Sequence, residues 1–375
     1  MRIVHITPFY HPVIGGVEEV VRRVAEYTTS KGMEVYIVTY NRLRVDGIGS
    51  LPREEEINGV HVIRLKPDFI WSHGTYSSEL GEVLRRLRPD IVHAHVWRHP
   101  HVFQVAKLKE RLRFKAVLHG HAPFHKLGQL GALTWLYHRV VDVFMKGTLR
   151  MYDRVIALTL HEKSVLVSRL GVDVERVIII PNGIDDELLE SPITSNCNEN
   201  VVLYIGRVSR SKNLDLLVKA LRWVEGRASV KLVLAGPDEG EASRLRDYAW
   251  RYHVNLRYLG TVSESEKRNL YAKCKVFVHP AVYEPFGITL LEVQAFGKPC
   301  VITGEGGQLY AAPPGKSSVY AEPNPRSFGK AVSLLLNDEE LYMRLSKNAR
   351  EWASKHAWSK ILPRYIELYT QLMNG

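Results

Sequence analysis

Residues 276–303 read VFVHPAVYEPFGITLLEVQAFGKPCVIT, and this stretch decides the fold. Val276–His279 is a short apolar run of strand character. Pro285 and Gly287 tighten the loop that follows, a helix runs to about Phe296, and Cys300–Thr303 opens a second short run. A strand, a loop, a helix and a second strand form a βαβ unit with parallel strands. Glu292 lies inside the helix, in the apolar run LLEVQAF, where a carboxylate needs a partner.

The same alternation extends towards both termini. Short Val- and Ile-rich runs occur at Ile3–Thr7, Val35–Tyr40, Val60–Leu65, Ile91–His95, Ala116–His119, Arg154–Leu158 and Val177–Ile180. A second series comprises Val201–Ile205, Val230–Ala235, Asn255–Leu259 and the two runs already quoted. Runs this short and this apolar read as strands covered on both faces, hence as parallel sheets, and two series predict two doubly wound α/β domains. The polar stretch Glu190–Asn200 (ESPITSNCNEN) lies between the series and reads as the linker. The expected division is 1–187 and 188–358, with a C-terminal helix, 359–375, returning to the first domain. From about Pro325 to Met373 the pattern is helical, and Pro363 is expected to break or kink it.

A length of 375 residues suits two domains, and 45% hydrophobic with 24% charged residues is the composition of a soluble globular protein. Nowhere do 18 apolar residues run together, so no transmembrane helix is expected. The opening MRIVHITPFYHP does not make a signal peptide. Cys197, Cys274 and Cys300 are scattered, which points to a reducing, cytoplasmic location and away from a structural zinc site. The net charge of +11 suits nucleic acid, an anionic membrane or phosphorylated substrates. No dense basic block with interleaved aromatics is present, which argues against nucleic acid.

Three places carry chemistry. The turn PFYHPVIGG after the first strand ends in Gly15 and Gly16, where the backbone can approach a ligand and a helix opening at Val17 offers free N–H groups to an anion. This is not the GxGxxG of a dinucleotide site, and no acid ends the second strand, so a dehydrogenase reading loses support. VVLYIG delivers Arg207, and a few residues on Lys212 and Asn213, to the carboxyl end of the second sheet; two cations there suit a diphosphate. EPFGITLLE sets Glu284 in a tight loop and Glu292 two helical turns later, so that both carboxylates can point into one cleft and accept from sugar hydroxyls.

GRVSRSKN (206–213), EPFGITLLE (284–292), PNGID (181–185), the glycine pair and His119–Gly120 together resemble family 4 of the retaining glycosyltransferases, in order and spacing over nearly the whole chain. The resemblance implies the GT-B fold: two Rossmann-like domains facing across a cleft, closing about Pro181–Asp185. It implies that Arg207 and Lys212 bind the donor diphosphate and stabilise the leaving group, and that Glu284 contacts the donor sugar. Glu292 matches the carboxylate on the ribose, and Gly15 and Gly16 the main chain near phosphate and acceptor. His119 matches a histidine facing the sugar, which makes Arg207, Lys212, Glu284 and His119 the expected catalytic set. Pro285, Phe286, Gly287 and Ile288 complete the expected donor loop. GEGGQLYAAPPG (304–315) departs from the family by lacking an acid soon after Gly306–Gly307.

The implied reaction moves a hexose-type unit from a UDP- or GDP-type sugar to a hydroxyl of a glycan, lipid-linked or small-molecule acceptor, without cofactor or metal. The alternatives are a nucleotide-sugar epimerase, a phosphorylase for which no phosphate or cofactor site is found, and a non-catalytic nucleotide-sugar-binding module. His93, His95, His99, His101, His121 and His125 lack a carboxylate or cysteine spaced to complete a metal site and are read as polar packing or acceptor contacts. Residues Lys126–Arg150 read as one apolar, basic helix. It is expected either to pack on its own sheet or to lie on an anionic membrane, the latter giving a peripheral location on the inner face.

Overall fold

The computed structural model describes residues 1–13, 15–43, 47–48, 50–71, 74–121, 124, 127–191, 200–226 and 230–374. Most of the expected linker (192–199), together with Lys126, His125 and Cys197, lies outside the described residues. The chain forms two compact units: residues 1–123, 133–181 and 360–375, and residues 124–132 with 182–359.

The first unit contains β1 (Arg2–Ile6), α1 (Gly16–Ser30), β2 (Glu34–Tyr40), the short pair β3 (Arg42–Leu43) and β4 (Gly47–Ile48), β5 (Glu54–Ile57) and β6 (Val60–Leu65). A hairpin, β7 (Phe69–Trp71) and β8 (Gly74–Tyr76), precedes α2 (Glu79–Leu87), β9 (Ile91–His95), α3 (Pro100–Leu112) and β10 (Lys115–His119). After α4 (Leu127–Leu130), which belongs to the second unit, come α5 (Ala132–Leu149), β11 (Arg154–Ala157), α6 (Leu160–Ser168) and β12 (Val177–Ile179). The main sheet has the order β12-β11-β10-β9-β1-β2-β6-β5, parallel except for the β5–β6 edge. Every residue of β9 is buried, as a strand covered on both faces requires.

The second unit runs through β13 (Asn200–Ile205), α7 (Leu214–Ala220), β14 (Val230–Ala235), α8 (Ala242–Arg251), β15 (Asn255–Tyr258), α9 (Glu264–Lys273), β16 (Val276–His279) and β17 (Tyr283–Glu284). It continues with α10 (Ile288–Ala295), β18 (Cys300–Ile302), β19 (Glu305–Gly306), α11 (Gln308–Ala311), β20 (Ser318–Tyr320), α12 (Pro325–Asn337), α13 (Glu339–Ser354) and the start of α14 (Trp358–Ile361). Its sheet is wholly parallel, in the order β15-β14-β13-β16-β18-β20. Val202, Leu217, Leu232, Val276, Val301 and Phe328 are among the side chains that fill its core. The winding reverses between β13 and β16, so the loops after these two strands flank the switch point where open α/β sheets take ligands.

α15 (Pro363–Asn374) packs in the first unit through Tyr365, Leu368, Tyr369 and Leu372. It begins at Pro363, which separates it from α14 as the sequence predicts. The expectation of one helix over Lys126–Arg150 is corrected: α4 and α5 are separated at Gly131, whose φ of +80° favours glycine. Nor does the apolar side of α5 pack on the sheet. Leu133, Leu136, Tyr137, Val140, Val143 and Phe144 are exposed, and Asp142, Met145 and Leu149 face inward. Among the described residues no helix is long and apolar enough to cross a membrane.

Candidate active site

The second unit collects the chemistry at the carboxyl ends of β13 and β16. Beyond β13 the chain passes Gly206 to Arg207, and the Arg207 loop is tied to the loop after β14. Val208 N–H donates to the Pro237 carbonyl at 2.8 Å, and Glu239 N–H to the Val208 carbonyl at 2.9 Å. This tie brings Glu239 to Arg207, with Nη1 to Oε1 at 2.9 Å. Both side chains are largely exposed, so the pair is worth about 0–1 kcal/mol and can open for a stronger anion.

Lys212 ends a single helical turn, Arg210–Lys212, ahead of α7. Its ammonium donates to Glu284 Oε2 at 2.5 Å, and each side chain is 14% exposed. Glu284 sits in β17 rather than in a free loop: β17 pairs with β19, and Gly307 N–H donates to the Glu284 carbonyl at 2.7 Å. The approach is so close that a Cβ on Gly307 would meet the Pro285 carbonyl oxygen at 2.1 Å. The glycine pair therefore clamps the EPFG loop.

His279, at the end of β16, completes the surroundings of Glu284. The Gln308 amide N–H groups go to the Ala281 carbonyl at 2.9 Å and the Glu305 carbonyl at 3.2 Å, which leaves its Oε1 to accept from His279 Nδ1 at 3.0 Å. His279 Nε2 lies 3.4 Å from Glu284 Oε2. Burial by itself would raise the Glu284 carboxyl, but the Lys212 charge and the His279 contact outweigh it and hold the group well below the usual carboxylate range. Glu284 is an anion here, with one oxygen engaged by two neighbours.

Glu292 points elsewhere. Its oxygens accept from Tyr271 Oη at 2.7 Å and from Lys267 Nζ at 3.1 Å. Burial lowers the Lys267 ammonium, and the charges of Glu292 and Glu264 more than restore it; burial and Glu292 drive the Tyr271 hydroxyl up, so Tyr271 stays a donor. Between the two carboxylates α10 starts at Ile288, after Gly287, without a side-chain cap. Its first N–H groups are suited to accept an anion. Pro285 and Phe286 lead into that start, and Phe286 is buried, with its ring 5.9 Å from Tyr310.

The structure therefore brings Lys212 to Glu284, and gives Arg207 and Glu292 separate partners. Glu239, Lys267, Tyr271, His279 and Gln308 escaped sequence reasoning, as did Gln129 of α4, whose amide donates to the Ser211 carbonyl at 3.1 Å and the Tyr283 carbonyl at 2.9 Å. Only the Glu264-to-Lys267 spacing at the head of α9 signalled any of these.

The remaining expected residues belong to the first unit. Gly15 precedes α1, and Gly16 is its first, exposed residue. His119 ends β10, is fully buried, and lies opposite His95 in the sheet register. Burial keeps the His119 ring neutral, with neighbouring histidines adding to the effect.

Comparison with known proteins places this architecture. Residues 14–188 match the model of Glycosyltransferase Family 4, and residues 185–352 that of Glycosyl transferases group 1. An uncharacterized glycosyltransferase of Methanocaldococcus jannaschii is 26% identical, with 98% of each chain covered. Glycogen synthase of Mycobacterium tuberculosis is 25% identical over all of this chain and 96% of its own. Among solved structures, sucrose-phosphate synthase from Thermosynechococcus elongatus superposes with a TM-score of 0.79 at 22% identity, covering 100% of this chain and 99% of that one. HepE from Anabaena, in complex with UDP and glucose, gives 0.76 at 19% identity, covering 99% and 100%.

Proposed function

The chain belongs to the group 1, family 4 glycosyltransferases of the GT-B fold, and on that footing we propose that it is a retaining enzyme using a nucleoside diphosphate sugar. It moves a hexose-type unit to an acceptor hydroxyl. The observation that carries the reading is the Lys212–Glu284–His279 arrangement beside the uncapped start of α10, at the switch point of the second sheet. HepE, a structural neighbour solved with UDP and glucose, supports a donor of this class.

In this reading Arg207, Lys212 and the α10 N-terminus hold the diphosphate. Arg207 leaves its exposed pair with Glu239, because charge-assisted bonds to phosphate are worth more than a surface ion pair. Lys212 has three N–H donors and keeps one on Glu284. As the bond from the sugar to the diphosphate breaks, negative charge grows on the leaving oxygen, and these fixed cations stabilise it more than they stabilise the ground state. Lys212 and His279 hold the Glu284 carboxylate as an acceptor for sugar hydroxyls rather than as a nucleophile. Glu292, set by Tyr271 and Lys267, accepts from the ribose. His119 serves on the sugar side, Gly15 and Gly16 beside phosphate and acceptor. The charge at the leaving group comes from the protein, and no cofactor or metal enters the reaction.

The direct test incubates the protein with a panel of UDP- and GDP-sugars. The expected results are thermal stabilisation by one nucleotide class and slow release of nucleoside diphosphate from its sugars. Stabilisation without turnover, even with acceptors supplied, identifies a binding module, and sugar inversion without release identifies an epimerase.

The exposed apolar side of α5 favours one addition, a peripheral location on an anionic membrane and a lipid-linked acceptor. Arg139, Lys146 and Arg150 accompany that side, all exposed.

A further inference from the structure

In the first unit, five histidines from three adjacent strands and one loop gather on one face of the sheet. His5 lies opposite His93 in the β1–β9 register, and His95 opposite His119 in the β9–β10 register. Residues two apart on a strand share a face, so all four rings project together. His121 follows from the loop and stacks on His119 with ring centroids 3.8 Å apart. The four strand histidines are fully buried.

Their hydrogen bonds leave nitrogens over. His5 Nδ1 and His95 Nε2 are 3.0 Å apart, His95 Nδ1 and His121 Nε2 are 3.2 Å apart, and His93 Nδ1 is 2.7 Å from the Tyr369 hydroxyl. His5 Nε2, His93 Nε2 and both nitrogens of His119 are buried with no partner among the described residues. Each buried polar atom left in this way costs about 1–3 kcal/mol. When His95 donates from Nδ1 to His121 and His5 carries its proton on Nε2, His5 Nδ1 and His95 Nε2 both present bare lone pairs, 3.0 Å apart. When His93 donates to Tyr369, His93 Nε2 presents another. The ligand atoms of His5, His93 and His95 all lie within 4.8 Å of one another, and so do those of His95, His119 and His121.

We propose that His5, His93 and His95 form a structural site for a borderline divalent transition-metal ion, zinc in the first instance. Several neutral imidazoles with free lone pairs suit this class of ion, and a ligand set closed to solvent is that of a structural site. Tyr369 on the far nitrogen of His93 fixes which nitrogen faces the ion. Nitrogens about 3.4 Å apart are needed for tetrahedral bonds of about 2.0–2.1 Å, so the rings close in on binding. No carboxylate belongs to the set, which makes the site weaker than one that neutralises its ion. It lies in the first unit and takes no part in the leaving-group chemistry proposed for the second.

The test uses the untagged full chain, stripped with a chelator and dialysed against zinc, with bound metal counted by atomic emission. One equivalent per chain, a raised Tm and the visible bands of tetrahedral cobalt after Co²⁺ substitution are expected. The double variant His5→Gln/His93→Gln loses the equivalent, and His61→Gln, an exposed histidine elsewhere, keeps it. No saturable binding by the unaltered protein overturns the proposal and leaves the rings as neutral polar packing. So does an octahedral cobalt spectrum, which is read on the unaltered protein even where the double variant does not fold, or undiminished binding by a folded double variant.

Discussion

Lys212 and Glu284 form a 2.5 Å ion pair whose two side chains come from the ends of different βα units and are equally shielded, at 14% exposure each. A pair this enclosed differs in kind from Arg207–Glu239, which stands half in solvent. Removing one member of a buried pair strands the other, whereas opening an exposed pair costs little. The two cations assigned to one task are thus held in different ways.

Lys212→Ala is therefore expected to lower both activity and stability. Turnover falls ~100-fold or more through lost leaving-group stabilisation, and unfolding in urea shifts by about 3 kcal/mol as Glu284 loses its cation. Arg207→Ala should cut turnover on the same ~100-fold scale while the urea midpoint hardly moves. Equal loss of stability in both variants, or normal turnover in both, contradicts the assignment.

Glu292→Ala should weaken donor binding more than the chemical step, by about 1–3 kcal/mol for charge-assisted bonds to the ribose. Calorimetry with free UDP and GDP reads this directly. The variant also leaves Lys267 with Glu264 alone and Tyr271 without its acceptor. Tyr271→Phe is the control, since it loosens Glu292 without removing it. Unchanged nucleotide affinity in Glu292→Ala would place the ribose elsewhere.

Acid should unfold the protein early. Burial holds His5 neutral down to about 3 and His101 to about 4, and holds His93, His95 and His119 far below the ordinary histidine value. In the unfolded chain these groups titrate near pH 6.5. Between the two values the unfolded state binds more protons, so stability falls as pH falls, by about 1.4 kcal/mol per pH unit for each ring. Five rings together use up a typical stability of about 5–15 kcal/mol within two units below pH 6.5. Glu284, whose folded value is depressed, adds its own loss only below about pH 4. Circular dichroism is expected to show unfolding between pH 6 and about 4.5, and a flat signal down to pH 4 refutes the buried-neutral account.

Transfer should survive chelation. In the proposed reaction the cations that face the leaving group are Arg207 and Lys212, and EDTA removes neither. Initial rates with and without EDTA are expected to agree. Abolition by EDTA with recovery in Mg²⁺ or Mn²⁺ would assign the charge to a bound metal instead.

The strand pattern was legible because a parallel strand is apolar on both faces, and β1, β9, β13 and β16 fall within a residue of the runs read from sequence. Arg207, Lys212, Glu284 and Glu292 stood out because charged residues at strand ends or inside apolar runs are unusual. Their partners did not. Tyr271 lies 21 residues before Glu292 and Glu239 lies 32 after Arg207, and only the packing of α9 on α10 and the tie between the β13 and β14 loops joins them. The histidine cluster depends on strand order, which sets His5 beside His93 across 88 residues of sequence. β5, with its three glutamates, is an edge strand without the apolar signature, and the β7–β8 hairpin is a separate two-stranded sheet of three-residue strands, too short to read as a period. The break at Gly131 was hidden because the apolar residues recur on either side of it.

The apolar side of α5 gives the last prediction. Leu133 is 86% and Phe144 68% exposed, with Leu136, Tyr137, Val140 and Val143 between them. Tyr137 also accepts from Trp71 Nε1 at 3.0 Å, which joins the β7–β8 hairpin and its exposed Phe69 to the same patch. A contiguous apolar surface rimmed by charge marks an interaction site more often than a monomer's ordinary surface. The charge is of one sign, because Asp142, the single acid of the helix, is buried against Arg98 at 2.7 Å and leaves Arg139, Lys146 and Arg150 unopposed. An aqueous protein partner would account for the apolar residues, whereas the basic rim fits the proposed anionic lipid surface, where each Lys or Arg would add about 1 kcal/mol. Sedimentation with liposomes separates the two. Binding should need anionic lipid, fall as salt is raised, and weaken when Lys146 and Arg150 become Glu, while Leu133→Ser with Phe144→Ser should lower it at every salt concentration. Protein that stays in the supernatant with anionic vesicles at low salt excludes the membrane and directs the search to an acceptor in solution.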